Sequence, residues 1–341
     1  MKFLFWGAGA IGTYVGGSLA AAGHDVSFSE RPDVAEKLSA RGLTVHREGR
    51  ALNITNATFH PSATAALSAG PYDVAVFALK SFDTEAAVAD LVATGLPVPP
   101  IMSLQNGIDN EATIASFVGA ENVITGTVMT AVGKPGMGEA LEEKKRGMGV
   151  ALGHPSVPAI VEALDGAGLN ARAYPAAGPM KWSKLLTNLT GNATSAILDL
   201  PVADIYADRR LYEVEVTVLR ECLAVMDALG FKPVDLPGAP VRALAFAARW
   251  LPRIIAQPAL TRALGSGRGD KMPSFHIDLH SGRGRSEVGW LNGAVVRHGE
   301  TVGVQTPVNR VLTETLQALT DGEADIEAFR KNPEALLSLI P

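Results

Sequence analysis

The chain has 341 residues, 47% hydrophobic and 19% charged, with 35 glycines, 30 Lys+Arg against 35 Asp+Glu, and one cysteine, Cys222. That is apolar material enough for two cores of ordinary domain size, which excludes a disordered or collagen-like chain. The net charge of −5 argues against general nucleic-acid binding, and a lone thiol excludes intrachain disulfides and cysteine-based metal clusters while fitting a reducing, cytoplasmic compartment.

The stretch from Phe3 to Gly23 has no charged residue and follows Lys2, the composition of a signal peptide or membrane anchor. Its glycines and alanines break it into three pieces instead, and no membrane association is expected. Phe3-Leu4-Phe5-Trp6 reads as a strand buried on both faces, Gly7 to Gly12 as a turn, and Thr13 to Ala22 as a small-residue helix stopped by Gly23. His24 to Phe28 reads as the second strand. The order strand, glycine turn, helix, strand is the setting that Gly7-Ala8-Gly9-Ala10-Ile11-Gly12 needs as a dinucleotide-binding G-x-G-x-x-G. Gly7 permits the tight turn, Gly9 lets backbone approach a pyrophosphate, and Gly12 lets helix pack on strand, with the helix N-terminus facing the phosphates. At the end of the second strand stand Ser29-Glu30-Arg31. Either an acid holds the ribose hydroxyls of NAD or an Arg accommodates the 2′-phosphate of NADP. Side chains alternate there, so one of the two points inward; Arg31 and NADP(H) are the expectation.

Further apolar strands are expected at Val74 to Leu79, ending in Lys80, at Ile101 to Leu104, ending in Gln105-Asn106-Gly107, at Val123 to Ala131 and at Met148 to Leu152. Helices are expected at Asp83 to Ala93, Asn110 to Phe117 and Pro158 to Ala167. This alternation gives an α/β fold with a Rossmann-type, doubly wound parallel sheet. Ligands bind beyond the carboxyl ends of such strands, so Lys80 and Asn106 are candidates by position as well as type.

After Pro175-Ala176-Ala177-Gly178-Pro179 the texture turns helical, with helices expected at Met180 to Ile197, Ala203 to Leu229, Val241 to Arg253, Glu287 to His298 and Asn309 to Leu319. The reading is a dinucleotide-binding domain over 1–177 and an all-helical C-terminal domain over 178–341. Between 242 and 285, Arg242, Arg249, Arg253, Arg262, Arg268, Lys271, Arg283 and Arg285 face only Asp270 and Asp278, a balance suited to a small anion or to a solvated face. Gly265 to Gly269 reads as a loop. On the first of these helices Lys184, Asn188 and Asn192 recur every four residues as one polar stripe, apart from Leu185, Leu186 and Leu189. Asparagine is a poor helix former, so the stripe is either a solvated face or a cation and two amides gripping a polar ligand.

Taken in order, the glycine turn, His24-Asp25-Val26 running to Arg31, Ala78-Leu79-Lys80, Gln105-Asn106-Gly107, Lys184 to Asn188 with Asn192, Pro273-Ser274 with Asp278, and Glu287 to Gly293 resemble the ketopantoate reductase (2-dehydropantoate 2-reductase) family over nearly the whole chain. The resemblance implies NADPH-dependent reduction of a 2-oxo acid, 2-dehydropantoate first, to the 2-hydroxy acid. It implies Lys184 as general acid and Asn188, Asn192 and Ser274 as holders of the substrate's carboxylate and hydroxyl. It places Asn106 between nicotinamide and substrate, and Glu287 beside Lys184 and the nicotinamide end. Gly7, Ala8, Gly9, Ala10, Ile11, Gly12, Arg31, Lys80, Asn106, Val132 and Glu287 are the implied cofactor contacts. The implied partner is a small anionic oxo acid, no metal is expected, and the assembly allowed for is a homodimer.

The chain departs from the family at the substrate end. Leu279 to Ser286 runs one residue long, Lys271 replaces an amide, and Asp199-Leu200-Pro201-Val202 stands where a substrate-contacting Asn or Gly is common. Rival readings are another dehydrogenase of the same architecture, or a non-catalytic NADP-binding regulator.

Overall fold

The computed structural model describes residues 1–268, 272–282 and 284–341, with 263–268 described by backbone alone. It divides into two compact units, Met1–Lys181 with Leu236–Ala239, and Trp182–Asp235 with Pro240–Pro341.

The first unit carries strands β1 (Lys2–Trp6), β2 (Asp25–Ser29), β3 (Leu43–Arg47), β4 (Arg50–Ile54), β5 (Thr58–His60), β6 (Val74–Phe77), β7 (Ile101–Ser103), β8 (Val123–Val128), β9 (Ala131–Gly133), β10 (Glu139–Lys144), β11 (Met148–Ala151) and β12 (Ala171–Tyr174). Its helices are α1 (Ala10–Ala21), α2 (Pro32–Arg41), α3 (Ala63–Ser68), α4 (Thr84–Ala93), α5 (Asn110–Val118) and α6 (Val157–Gly166). Eight strands form one sheet in the order β12-β11-β8-β7-β6-β1-β2-β5, parallel throughout except where β11 runs against β8. Alternate residues of β1 serve opposite faces: Phe3 and Phe5 enter one core, Leu4 and Trp6 the other. This two-sided burial explains the unbroken apolar run, and each such aromatic contributes roughly 1.5–3 kcal/mol.

Four strands, β4-β3-β10-β9, make a second sheet that the sequence reading did not resolve. The single strand expected over 123–131 is therefore two, one in each sheet. Val45 and Ile54 of the second sheet join the same core as Tyr14 and Val15 of α1. Because α1 has sheet on two sides, few of its residues face water, and its polarity shows little helical period.

The second unit begins within α7 (Ala177–Leu189) and continues with α8 (Asn192–Leu198), α9 (Val202–Ala207), α10 (Arg209–Ala228), α11 (Val241–Trp250), α12 (Arg253–Arg268), α13 (Ser274–His280), α14 (Asn292–Val302), α15 (Pro307–Asp321), α16 (Ile326–Phe329) and α17 (Pro333–Leu337). No helix among the described residues is long and apolar enough to cross a membrane. Several expected helices are interrupted. The run over 203–229 breaks at Asp208, whose carboxylate caps α10 by accepting from the N–H groups of Arg210 and Leu211 at 2.7 and 3.1 Å. The segment 265–268, read as a loop, is the end of α12, and Gly269 lies outside the described residues. The helix expected from Glu287 starts at Asn292, after a 3₁₀ turn over Val288–Trp290.

The basic run does not stand free. Arg242 pairs with Asp235 and Arg249 with Asp227, both at 2.7 Å, and Arg253 with Glu213 at 3.5 Å. These acids lie outside the run, which is why counting within 242–285 overstated its charge. The side chains of Arg268, Lys271 and Arg283 lie outside the described residues.

Cys222, on α10, is fully buried, and that burial, with the neighbouring Glu221 carboxylate, drives its thiol pKa well up. Only thiolate reacts with thiol reagents. The folded protein is therefore expected to give no colour with a disulfide reagent at pH 8, and one thiol per chain once denatured. Fast labelling of the native protein would contradict this packing.

Candidate active site

The glycine turn follows from backbone sterics. Gly7 has φ +93°, a conformation that L side chains rarely adopt. A Cβ on Gly12 would lie 1.9 Å from the carbonyl oxygen of Gly7, so only glycine lets α1 start this close to the end of β1. Gly9 differs: its φ of −71° suits any residue, and an added Cβ would meet no atom within 4 Å. The space over Gly9 is open, and a side chain would fill it; the turn therefore fits a pyrophosphate lying against bare backbone at a helix N-terminus. Ile11 and Val132 are half-buried and pack against the same core, Val132 from β9.

Glu30, not Arg31, turns toward this loop. Its carboxylate accepts from the backbone N–H of Ala8. The expectation that Arg31 points inward is thus corrected, and the reason is local. β2 ends at Ser29, so strand alternation no longer governs the next residues. The turn's unpaired N–H groups attract an anion. Arg31 precedes Pro32 at the start of α2 and runs into solvent, 77% exposed, with Asp33 at 4.0 Å.

Lys80 and Asn106 lie just past the ends of the neighbouring strands β6 and β7. β6 stops at Phe77, short of the expected Leu79, and Lys80 leads into a 3₁₀ turn over Ser81–Asp83. The Lys80 carbonyl accepts from Gln105 Nε2 at 3.3 Å. The Asn106 carbonyl accepts from Ser81 Oγ at 2.9 Å and Asn110 Nδ2 at 2.6 Å, while its side chain is exposed. Lys181, on the first part of α7, is buried; its Nζ donates to the Gln105 carbonyl at 2.9 Å and pairs with Glu111 Oε1 at 2.8 Å. Asn106 is thus held by a ring of buried polar groups that the sequence reading missed. The one available signal was the second lysine a helical turn before Lys184.

In the second unit, Lys184 and Asn188 sit half-buried on successive turns of α7, as expected. Asn192 does not continue their helix. The chain breaks at Thr190-Gly191, where Gly191 has φ +64°, and Asn192 opens α8. The break is stabilised by Glu215, a buried carboxylate that accepts from Gly191 N–H and Thr194 Oγ1 at 2.6 Å each and from Tyr206 Oη at 3.3 Å. Three donors offset the cost of burying the charge. Asn192 meets Ser274: its Nδ2 lies 3.4 Å from Ser274 Oγ, and its Oδ1 accepts from the Phe275 N–H at 3.1 Å, capping α13. Glu287 is 4% exposed and leads into the 3₁₀ turn before α14.

Chemically, the first unit offers an anion-ready helix start beside an acidic residue. The second offers a lysine, two asparagines and a serine, a set suited to a small anionic, oxygen-rich ligand.

Comparison with known proteins covers both units. Residues 3–150 match the family model described as Ketopantoate reductase PanE/ApbA, and residues 178–320 match its C-terminal counterpart. The 2-dehydropantoate 2-reductases of Pyrococcus horikoshii and Archaeoglobus fulgidus are each 27% identical to the chain, over 93% of it and 97% of their own lengths. Among solved structures, a PanE/ApbA family ketopantoate reductase from Ralstonia eutropha JMP134 superposes with a TM-score of 0.79 at 26% identity, covering 95% of this chain and 99% of its own. D-Mandelate dehydrogenase with NADH and anilino(oxo)acetate gives 0.76 at 22% identity, over 94% and 99%, a likeness of fold.

Proposed function

Since the chain belongs to the ketopantoate reductase family, we propose that it reduces a 2-oxo acid, 2-dehydropantoate first, to the 2-hydroxy acid with NADPH. The observation that carries this reading is the pairing of Asn192 with Ser274 in the same unit that bears Lys184 and Asn188. A bound nicotinamide dinucleotide supplies the hydride. The turn over Gly7 to Gly12 would receive its pyrophosphate, with Lys80, Asn106, Val132 and Arg31 as further contacts. Asn188, Asn192 and Ser274 hold the carboxylate and hydroxyl oxygens. As the carbonyl carbon is reduced, negative charge develops on its oxygen; the ammonium of Lys184 stabilises that charge and donates the proton. Glu287 stands beside Lys184 and orients its ammonium.

Initial rates over a panel of 2-oxo acids, with NADPH and with NADH, test the reading. It expects turnover of 2-dehydropantoate or a branched relative, and it fails if no 2-oxo acid is reduced while a 3-hydroxy acid or an imine is converted.

The seat of Glu30 on the glycine turn favours a second reading of the cofactor, NADH, whose ribose hydroxyls an inward carboxylate would hold. The two separate by mutation. If NADPH is used through Arg31, Arg31→Ala raises KM for NADPH about 10- to 100-fold, the worth of a charge-assisted contact, and leaves KM for NADH unchanged. If NADH is the cofactor, the parent protein prefers it and Glu30→Ala weakens it by a similar factor.

A further inference from the structure

We infer that Asp199, His276 and His280 form a binding site for a divalent transition metal of the zinc class. Among the described residues this is the group of metal-ligating side chains that converges: one ligand atom from each lies within 4.8 Å of the other two. His276 and His280 stand four residues apart on α13, and Asp199 ends α8. Two imidazoles one helical turn apart and a carboxylate from a second element are a ligand set that zinc accepts, with water completing the shell. A tetrahedral ion about 2.1 Å from each ligand separates them by about 3.4 Å, so the two imidazoles, with ring centroids 4.2 Å apart, must turn about their side-chain bonds to aim one nitrogen each at the ion.

The surroundings are those of held ligands. The Nε2 of His280 lies 3.1 Å from the Ala196 carbonyl; donating its proton there leaves Nδ1 with the lone pair, the arrangement usual for metal-bound histidine. Asp199 Oδ1 faces His276 Nε2 at 2.6 Å, while Arg330 lies 3.6 Å from the other oxygen, Oδ2. The ion would take the place of the proton shared between Oδ1 and His276, leaving the arginine contact intact. Asp199 also has φ +50°, an uncommon conformation for a residue other than glycine, and it aims the carboxylate at α13. The N-terminal residues of these helices, Asn192 and Ser274, are in contact, so an ion at the Asp199 end would pin α8 to α13 at a second point. Asp199, which opens one of the segments expected to depart from the family pattern, is thus one of the three ligands.

The test uses the intact protein, stripped with a chelator and titrated with zinc against a chromophoric indicator, and with cobalt for its visible spectrum. The expected result is one equivalent bound at micromolar or lower Kd, a tetrahedral cobalt band, and a zinc-induced rise in melting temperature. His276→Gln and His280→Gln should each weaken binding at least tenfold and abolish that rise while remaining folded by circular dichroism. No stoichiometric binding, or binding that both variants retain, would overturn the site and leave Asp199 and His276 as a hydrogen-bonded pair only.

Discussion

Lys184→Ala is expected to slow 2-oxo acid reduction by about 10²- to 10⁴-fold, the range for loss of a positioned general acid. Cofactor affinity should hold, because Lys184 is assigned to the substrate's carbonyl oxygen and not to the cofactor. The side chain is half-buried on α7, between the buried Ser183 and Leu185, and its removal leaves no deep cavity. The loss should therefore appear in kcat with little change in melting temperature. Lys184→Arg adds a diagnostic comparison. A guanidinium keeps the positive charge but does not give up a proton in this pH range, so it should recover part of the rate and not all of it. Full activity in Lys184→Ala would remove the lysine from the mechanism and favour a binding protein without turnover.

Two alanine substitutions in the glycine turn should part company. In Gly12→Ala the new methyl meets the Gly7 carbonyl oxygen at 1.9 Å, and backbone must move to admit it. Overpacking of this kind costs about 1–3 kcal/mol and should lower the melting temperature as well as abolish cofactor binding. In Gly9→Ala the methyl enters open space at an ordinary φ, so stability should be unchanged. If a pyrophosphate lies over that residue, cofactor affinity should still fall on the order of 10- to 100-fold, about 1.4–2.8 kcal/mol. Fluorescence titration with reduced cofactor, together with a melting curve, reads both variants. Unchanged affinity in Gly9→Ala would mean that the phosphates bind elsewhere.

What the sequence made legible was whatever backbone chemistry forces into particular residue types. The glycine turn is one case, since Gly7 and Gly12 answer to a positive φ and a close approach. The two-faced strand over Phe3 to Trp6 is another, since both of its faces enter apolar cores. The second sheet was obscure because β3, β4 and β10 are half exposed and charged, with side chains that look like loop. The break at Gly191 was obscure for a different reason. Glycine within a helical pattern is compatible with continuation, and what ends α7 there is Glu215, 24 residues further on. The orientation of Glu30 and Arg31 turned on where β2 stops, which periodicity does not fix to the residue. Lys181, Glu111 and Gln105 come together through the fold, from positions with no local pattern to join them.

Deuterium tracing tests hydride transfer to the carbonyl carbon of a 2-oxo acid. The protein is incubated with 2-dehydropantoate and a reduced nicotinamide dinucleotide carrying deuterium at C4 in either configuration, and the product is examined by mass spectrometry and proton NMR. The expected product is pantoate with one deuterium at C2 from one of the two labelled cofactors and none from the other. Cofactor that binds without forming a hydroxy acid, or product that carries no deuterium at C2 from either labelled cofactor, would contradict hydride transfer.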